Sequence, residues 1–224
     1  MAGAANSSKT ITINAGGRLD TVARYTGFDP MSTPPKPYLT PEQYLEIERA
    51  AEYKSEYFKG EMFAMSGGTL DHGRIFRNLI SLLHVQLRGR SCEIAGSRLR
   101  LQVSSEGFYT YPDIVVFCGK PQFADSRTDT ITDATVIIEV PSPSTENYDR
   151  GFKFEQYRQL ASLKDYIVLA QNRIHLEHYT REDSSWVLRE TSDPDTVIQL
   201  PSIECSFRVG EAYERVEFEA AATS

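Results

Sequence analysis

The sequence predicts an α/β or α+β fold, a mixed β-sheet flanked by helices, on three observations. Short apolar runs rich in β-branched residues, at 111–118 and 135–140, read as buried strands. Ile75, Leu79, Leu82, Leu83 and Leu87 recur at helical spacing and form one apolar face. Strands and helices of these two kinds are interspersed along the chain rather than segregated, the order expected of helices packed on a sheet. With 224 residues, 40% hydrophobic and 25% charged, the chain can bury one good core, so one folded domain is expected.

In chain order, residues 1–36 are dominated by small and polar types and end in Pro34-Pro35-Lys36-Pro37. This composition predicts a poorly ordered N-terminal extension, with the folded domain at 37–224. Met31 lies just before that domain and is an alternative start to Met1. Thr40-Pro41-Glu42-Gln43 is a capping-box signature that opens a helix running to about Lys54. Residues 57–63 read as a hairpin turning at Lys59-Gly60, and Gly67-Gly68 breaks the chain before a helix over 71–88. Strands follow at 93–95 and 98–103, then a turn at Glu106-Gly107 into the strand opened by Asp113. After the strand bearing Glu139, residues 149–160 read as a helix and 166–170, 174–179 and 186–190 as strands, with Ser184-Ser185 as a turn. No internal repeat is evident.

Two carboxylates stand in the buried-strand runs: Asp113 opens one and Glu139 nearly closes the other. A carboxylate at the edge of a core is costly to desolvate unless it is hydrogen-bonded or paired with a cation, so two together suggest a hard metal ion. Lys153 follows on an apparent helix. Each residue also has a structural reading. Asp after Pro can begin a strand or close an Asx turn, and Glu139 is tolerable at a sheet edge. Lys153 has Asp149 four residues earlier, a helix pair worth about 0.3–0.5 kcal/mol at a surface.

Tyr111-Pro112-Asp113, then Ile137-Ile138-Glu139-Val140 followed by Pro141-Ser142-Pro143-Ser144-Thr145, then Asp149-Arg150-Gly151-Phe152-Lys153, with Asp71-His72 and the segment 53–66 upstream, resemble the Uma-two family of restriction-endonuclease-like proteins. The resemblance covers roughly residues 38–215. It implies a restriction-endonuclease-like core of the PD-(D/E)XK nuclease superfamily, with Pro-Asp on one strand and Glu-X-Lys on the next. The chain departs from that pattern at Pro141, where the lysine belongs, and the resemblance then makes Lys153 its substitute on the following helix. On this reading Asp113 and Glu139, with the backbone carbonyl of Val140, hold Mg²⁺ or Mn²⁺. Lys153 orients water and stabilises charge on the phosphate, giving a product with a 5′-phosphate. The family pattern adds Glu61, alternatively a solvated strand residue, and His72, alternatively a polar helix cap.

Composition bounds the rest. No run approaches the roughly eighteen apolar residues of a membrane span, and no secretory signal opens the chain, so the expected location is cytoplasmic. Cys92, Cys118 and Cys205 are odd in number, widely spaced and without Cys-X-X-Cys, which predicts neither zinc site nor disulfide. His72, His84, His175 and His178 form no His-Glu-X-X-His motif, again favouring oxygen ligands. The net charge of −7 counts against tight non-specific DNA binding. Arg74 with Arg77, and the group Arg88, Arg90, Arg98 and Arg100, offer local phosphate-binding surfaces or, for Arg88 and Arg90, a decorated helix C-terminus. The expected function is a metal-dependent endonuclease acting on nucleic acid, DNA first, as a homodimer. The alternatives are an enzyme acting on RNA or a small phosphodiester, and a binding or protein-interaction module whose centre has decayed.

Overall fold

The computed structural model of the chain describes residues 38–104 and 107–218. The expectations for the N-terminal extension and for Glu106 lie outside the described residues. Helix α1 (Pro41–Ala50) begins as expected: Thr40 Oγ1 accepts from the Gln43 N–H, and Gln43 Oε1 accepts from the Thr40 N–H at 2.9 Å. It stops short of Lys54 because Ala51 is extended and the Ser55 N–H bonds Glu48 Oε1 at 2.9 Å, turning the chain into a strand. Strands β1 (Ser55–Phe58) and β2 (Glu61–Ala64) form the hairpin. Its turn residues Lys59 and Gly60 both have positive φ, 43° and 93°, as a tight right-twisted hairpin requires. Helix α2 (Leu70–Leu87) starts at the cap Thr69 and buries Ile75, Leu79, Leu83 and Leu87.

Among the described residues eleven further strands follow. The first of them are β3 (Cys92–Gly96), β4 (Arg100–Ser104), β5 (Phe108–Thr110), β6 (Ile114–Cys118), β7 (Thr130–Ile131) and β8 (Val136–Glu139). The 149–160 helix is observed as three joined pieces: α3 (Glu146–Tyr148), a π-helical turn (Asp149–Lys153) and α4 (Phe154–Tyr157). Strands β9 (Asp165–Leu169), β10 (Leu176–Glu182) and β11 (Ser185–Thr191) follow, then β12 (Val197–Leu200), a 3₁₀ turn (Pro201–Ile203), β13 (Cys205–Arg208) and α5 (Val209–Ala212). The two-residue β7 and everything after 191 were too short for a periodic signal.

The central sheet has six strands in the order β11-β10-β9-β8-β6-β3, antiparallel except for the parallel pair β8–β9, so it is mixed, as expected. A second sheet, β2-β1-β5-β4-β7, and the pair β12–β13 hold the other strands of the described residues. Alternation along the central strands divides the core. Ile114, Val116, Ile138, Val140 and Ile167 face α2, β13 and α5, while Val115, Phe117, Ile137, Tyr166 and Val168 face Tyr157, Leu160 and Phe108. By that parity Asp113 and Glu139 belong to the second face, under the helix that carries Lys153.

Two expectations are corrected. Cys92 and Cys118 form a disulfide, because the β3–β6 register sets them directly opposite although 26 residues separate them; Cys205 is buried and free. Distance in sequence is no guide to pairing across a sheet. Arg100 offers no phosphate surface: it is buried, donating to the Tyr111 hydroxyl at 3.0 Å and Thr130 Oγ1 at 2.9 Å. Arg74 is held by Asp71 at 2.8 Å. Among the described residues no helix is long and apolar enough to cross a membrane.

Candidate active site

The site grows from the β6–β8 register. Ile114 pairs with Ile138, so Asp113 and Glu139 stand opposite one another where the two strands end. Each carboxylate is fixed by the other strand's backbone. The Asp113 N–H donates to Glu139 Oε2 at 3.1 Å, and the Val140 N–H donates to Asp113 Oδ2 at 2.8 Å. This reciprocal pair accounts for two strand-end donors and orients both acids toward one cleft. Val140 lies with them, its carbonyl accepting from Gln171 Nε2 at 3.0 Å, while Thr69 Oγ1 donates to Gln171 Oε1 at 2.7 Å.

Lys153 reaches the same place. Its ammonium donates to Glu139 Oε1 at 3.1 Å and lies 2.9 Å from Asp149 Oδ1 and 3.3 Å from Glu56 Oε1. The Asp149 pair anticipated as a structural alternative is therefore present, but both groups are buried and neither is a surface decoration. Lys153 sits in the π-helical turn; π-turns occur frequently at functional sites. Tyr157 Oη also donates to Glu139 Oε1, at 2.7 Å.

Every partner of Glu139 is a donor, yet its pKa is raised to about 8. Burial pushes its pKa up; the Lys153 ammonium opposes that, and the nearby Asp113 and Asp149 charges add to it. For Lys153 burial pulls the other way, yet the surrounding acids, Glu139 foremost, raise its pKa and keep it an ammonium. His72 comes from the first turn of α2, where its N–H donates to Thr69 Oγ1 at 3.1 Å, and its Nε2 lies 2.9 Å from Asp113 Oδ1. The hydrogen bond to Asp113 raises the imidazole pKa against the effect of burial. Gly68 makes room for this ring, since a Cβ there would stand 2.7 Å from His72 Nδ1.

Glu61 is the exception among the candidates. It is half-buried across the hairpin turn from Phe58 and does not line the cleft. Glu56, five residues earlier, does, and the sequence reading missed it. Its Oε1 accepts from Thr110 Oγ1 at 2.5 Å and its Oε2 from the Tyr148 hydroxyl at 2.8 Å. The signal was available: Glu56 stands beside Tyr57 and Phe58 in a short strand, as Glu139 does among valine and isoleucine.

Glu56, His72, Asp113, Glu139, Val140 and Lys153 line one cleft of about 770 Å³. Its walls carry the acids Glu52, Glu56, Asp113, Glu139 and Asp149 against the cations Lys54 and Lys153. An excess of buried carboxylate oxygen suits a hard divalent cation. Asp113, Glu139 and the Val140 carbonyl offer oxygen, the donor type a hard divalent cation takes. Elsewhere, His175, Glu177 and Glu190 also bring ligand atoms within 4.8 Å of one another. There Arg150 already neutralises Glu177 at 2.5 Å, which disfavours a second cation.

Comparison with known proteins adds the following. A family model, Uma2, described as "Putative restriction endonuclease", matches residues 41–210. The uncharacterized protein slr1290 of Synechocystis sp. (strain PCC 6803) is 37% identical over 185 residues, 82% of this chain and 96% of that protein. The uncharacterized protein sll1609 of the same organism is 33% identical over 163 residues, 72% of this chain and 92% of that one. A crystal structure described as a "putative nuclease belonging to DUF820", from Anabaena variabilis ATCC 29413, superposes with a TM-score of 0.64 at 16% identity, covering 79% of this chain and 98% of the other. That likeness shows the fold, which is restriction-endonuclease-like.

Proposed function

From the premise that this chain belongs to the Uma2 family, we propose that it is a divalent-metal-dependent endonuclease that hydrolyses phosphodiester bonds in nucleic acid, DNA first. The reciprocal hydrogen bonding of Asp113 and Glu139, with the Lys153 ammonium 3.1 Å from Glu139, carries this reading. Asp113, Glu139 and the Val140 carbonyl would hold Mg²⁺ or Mn²⁺. Such an ion supplies a Lewis acid that offsets phosphate charge and makes water more acidic.

The protein's own groups do the remainder. Lys153 is a fixed positive charge where negative charge grows on the phosphoryl oxygens, and its buried setting strengthens that interaction. Glu56 and Asp149 also hold the ammonium in place. Tyr157 restrains the Glu139 carboxylate. His72 holds a proton at Nε2 against Asp113 Oδ1, and it must yield that oxygen to any cation that uses it. A homodimer completes the proposal, because one centre makes one nick and a double-strand cut takes two.

Incubation of the protein with plasmid DNA, with Mg²⁺, Mn²⁺ or EDTA, tests it. Wild type is expected to nick DNA and leave 5′-phosphates only with metal, and Asp113→Asn and Lys153→Met are expected to lose roughly a hundredfold or more in rate. Equal rates in all samples would overturn the reading. Pro141, standing where the family pattern has lysine, favours the second reading of a decayed binding module. Calorimetry separates the two: a working centre binds Mn²⁺ and loses it in Asp113→Asn.

A further inference from the structure

The cleft poses an electrostatic difficulty for a polyanion, because acids outnumber cations on its walls. Phosphate contacts supply essentially all of the sequence-independent affinity of most duplex binders, and here there is little to supply it. Lys153 is enclosed by three carboxylates. Lys54 is the second cation on the walls, its Nζ donating to the Ser97 carbonyl at 2.5 Å. Arg98, exposed next to Ser97, is close enough to Lys54 for the two charges to repel.

The rim offers aromatic rings instead. Tyr53 is 56% exposed and Phe63 is 46% exposed, yet both line the cleft. The Met65 N–H donates to the Lys54 carbonyl at 2.9 Å, which joins the Tyr53 segment to the end of β2 that carries Phe63. Phe63 pairs with Glu56 in the hairpin register, so it projects from the same face as the acid that holds Lys153. Phe152, also in the cleft lining, packs on both Tyr148 and Phe58. Neither Tyr53 nor Phe63 stacks on a ring among the described residues. Large exposed rings at the mouth of a polar site, beside a lysine and an arginine, are the arrangement that holds unstacked bases and their phosphates.

We propose that the cleft takes an unpaired strand, with bases stacking on Tyr53 and Phe63 and its phosphates passing Lys54 and Arg98 toward Asp113, Glu139 and Lys153. A base inside a duplex has both faces covered by its neighbours and cannot use these rings. The inference rests on the nuclease reading for what is cut and on the rings for what is bound. A dimer is then required only where both strands of an opened duplex are cut.

Fluorescence anisotropy with labelled twelve-nucleotide oligo-dT, oligo-U and a twelve-base-pair duplex, in Ca²⁺, tests it on the full chain. The single strands are expected to bind more tightly than the duplex, and the two of them identify the sugar. Tyr53→Ala and Phe63→Ala should each weaken single-strand binding about tenfold, while Tyr53→Phe and Phe63→Tyr retain it. Both positions are exposed, so the variants fold. A duplex bound as tightly as the single strands, or alanine variants with unchanged Kd, would overturn the inference. Adding Mg²⁺ to the same samples separates the two proposals: ring-dependent binding with no cleavage sinks the nuclease reading alone, and cleavage of duplex that ignores the rings sinks this one alone.

Discussion

Single residues decide the chemistry through what surrounds them. Asp113 and Glu139 could be recognised in the sequence because a carboxylate in an apolar β-branched run has no inexpensive structural explanation. Glu56 stands beside two aromatic residues in a strand of the same length as that of Glu139, and Glu61, the acid chosen instead, stands outside the cleft. His72 gives a pH test. Asp113 raises its pKa above the ordinary histidine value of 6.5. A raised folded-state pKa means that the pair stabilises the fold fully below pH 6.5 and that this contribution fades as pH rises through the folded value. An NMR titration of the metal-free protein should therefore place His72 above 6.5, and Asp113→Asn should bring it down. An unshifted His72 in wild type would contradict the hydrogen bond. Gly68→Ala should act in the same direction as Asp113→Asn by displacing the ring.

At the scale of elements, register does what composition cannot. The β6–β8 pairing aligns the two acids, and the β3–β6 pairing aligns Cys92 with Cys118. The disulfide ties an edge strand to the strand that Asp113 opens. By loop-closure entropy over 26 residues, reduction should lower unfolding stability by roughly 3 kcal/mol. Urea denaturation with and without dithiothreitol measures it, and Cys118→Ser should remove the difference. Identical curves for oxidised and reduced wild type would mean that the bridge contributes nothing. The helix that carries Lys153 was legible as a helix over 149–160, but its π-turn was not. In that turn the Asp149 carbonyl accepts from the Phe154 N–H and, at 2.9 Å, from the Tyr166 hydroxyl, a pairing that leaves no mark in hydrophobic spacing.

For the whole molecule, the excess of acid in the cleft predicts that a divalent ion stabilises the fold. At a hundredfold excess over Kd, Mn²⁺ should raise Tm by roughly 5–10 °C. Asp113→Asn should abolish most of that rise, and an equal rise in both proteins would locate the ion elsewhere, with the His175, Glu177 and Glu190 group the next place to look. The net charge of −7, which counts against duplex binding, is compatible with a substrate held through base stacking.

The amino-acid sequence by itself determined the mixed α/β architecture, most of the central strands, the capped first helix and three of the groups that meet at the centre. The elements and the two acids follow from local periodicity and from the cost of charge in apolar surroundings, both of which act over a few residues, while Lys153 joins them through the family resemblance. Only the tertiary structure decided that Glu56 replaces Glu61 at the cleft, that two distant cysteines bond, that Arg100 is buried and that Tyr53 and Phe63 share a rim with the acids. Each of these depends on which strands become neighbours and in which register. That choice is made by packing of the two faces of one sheet, and no short window of sequence contains it.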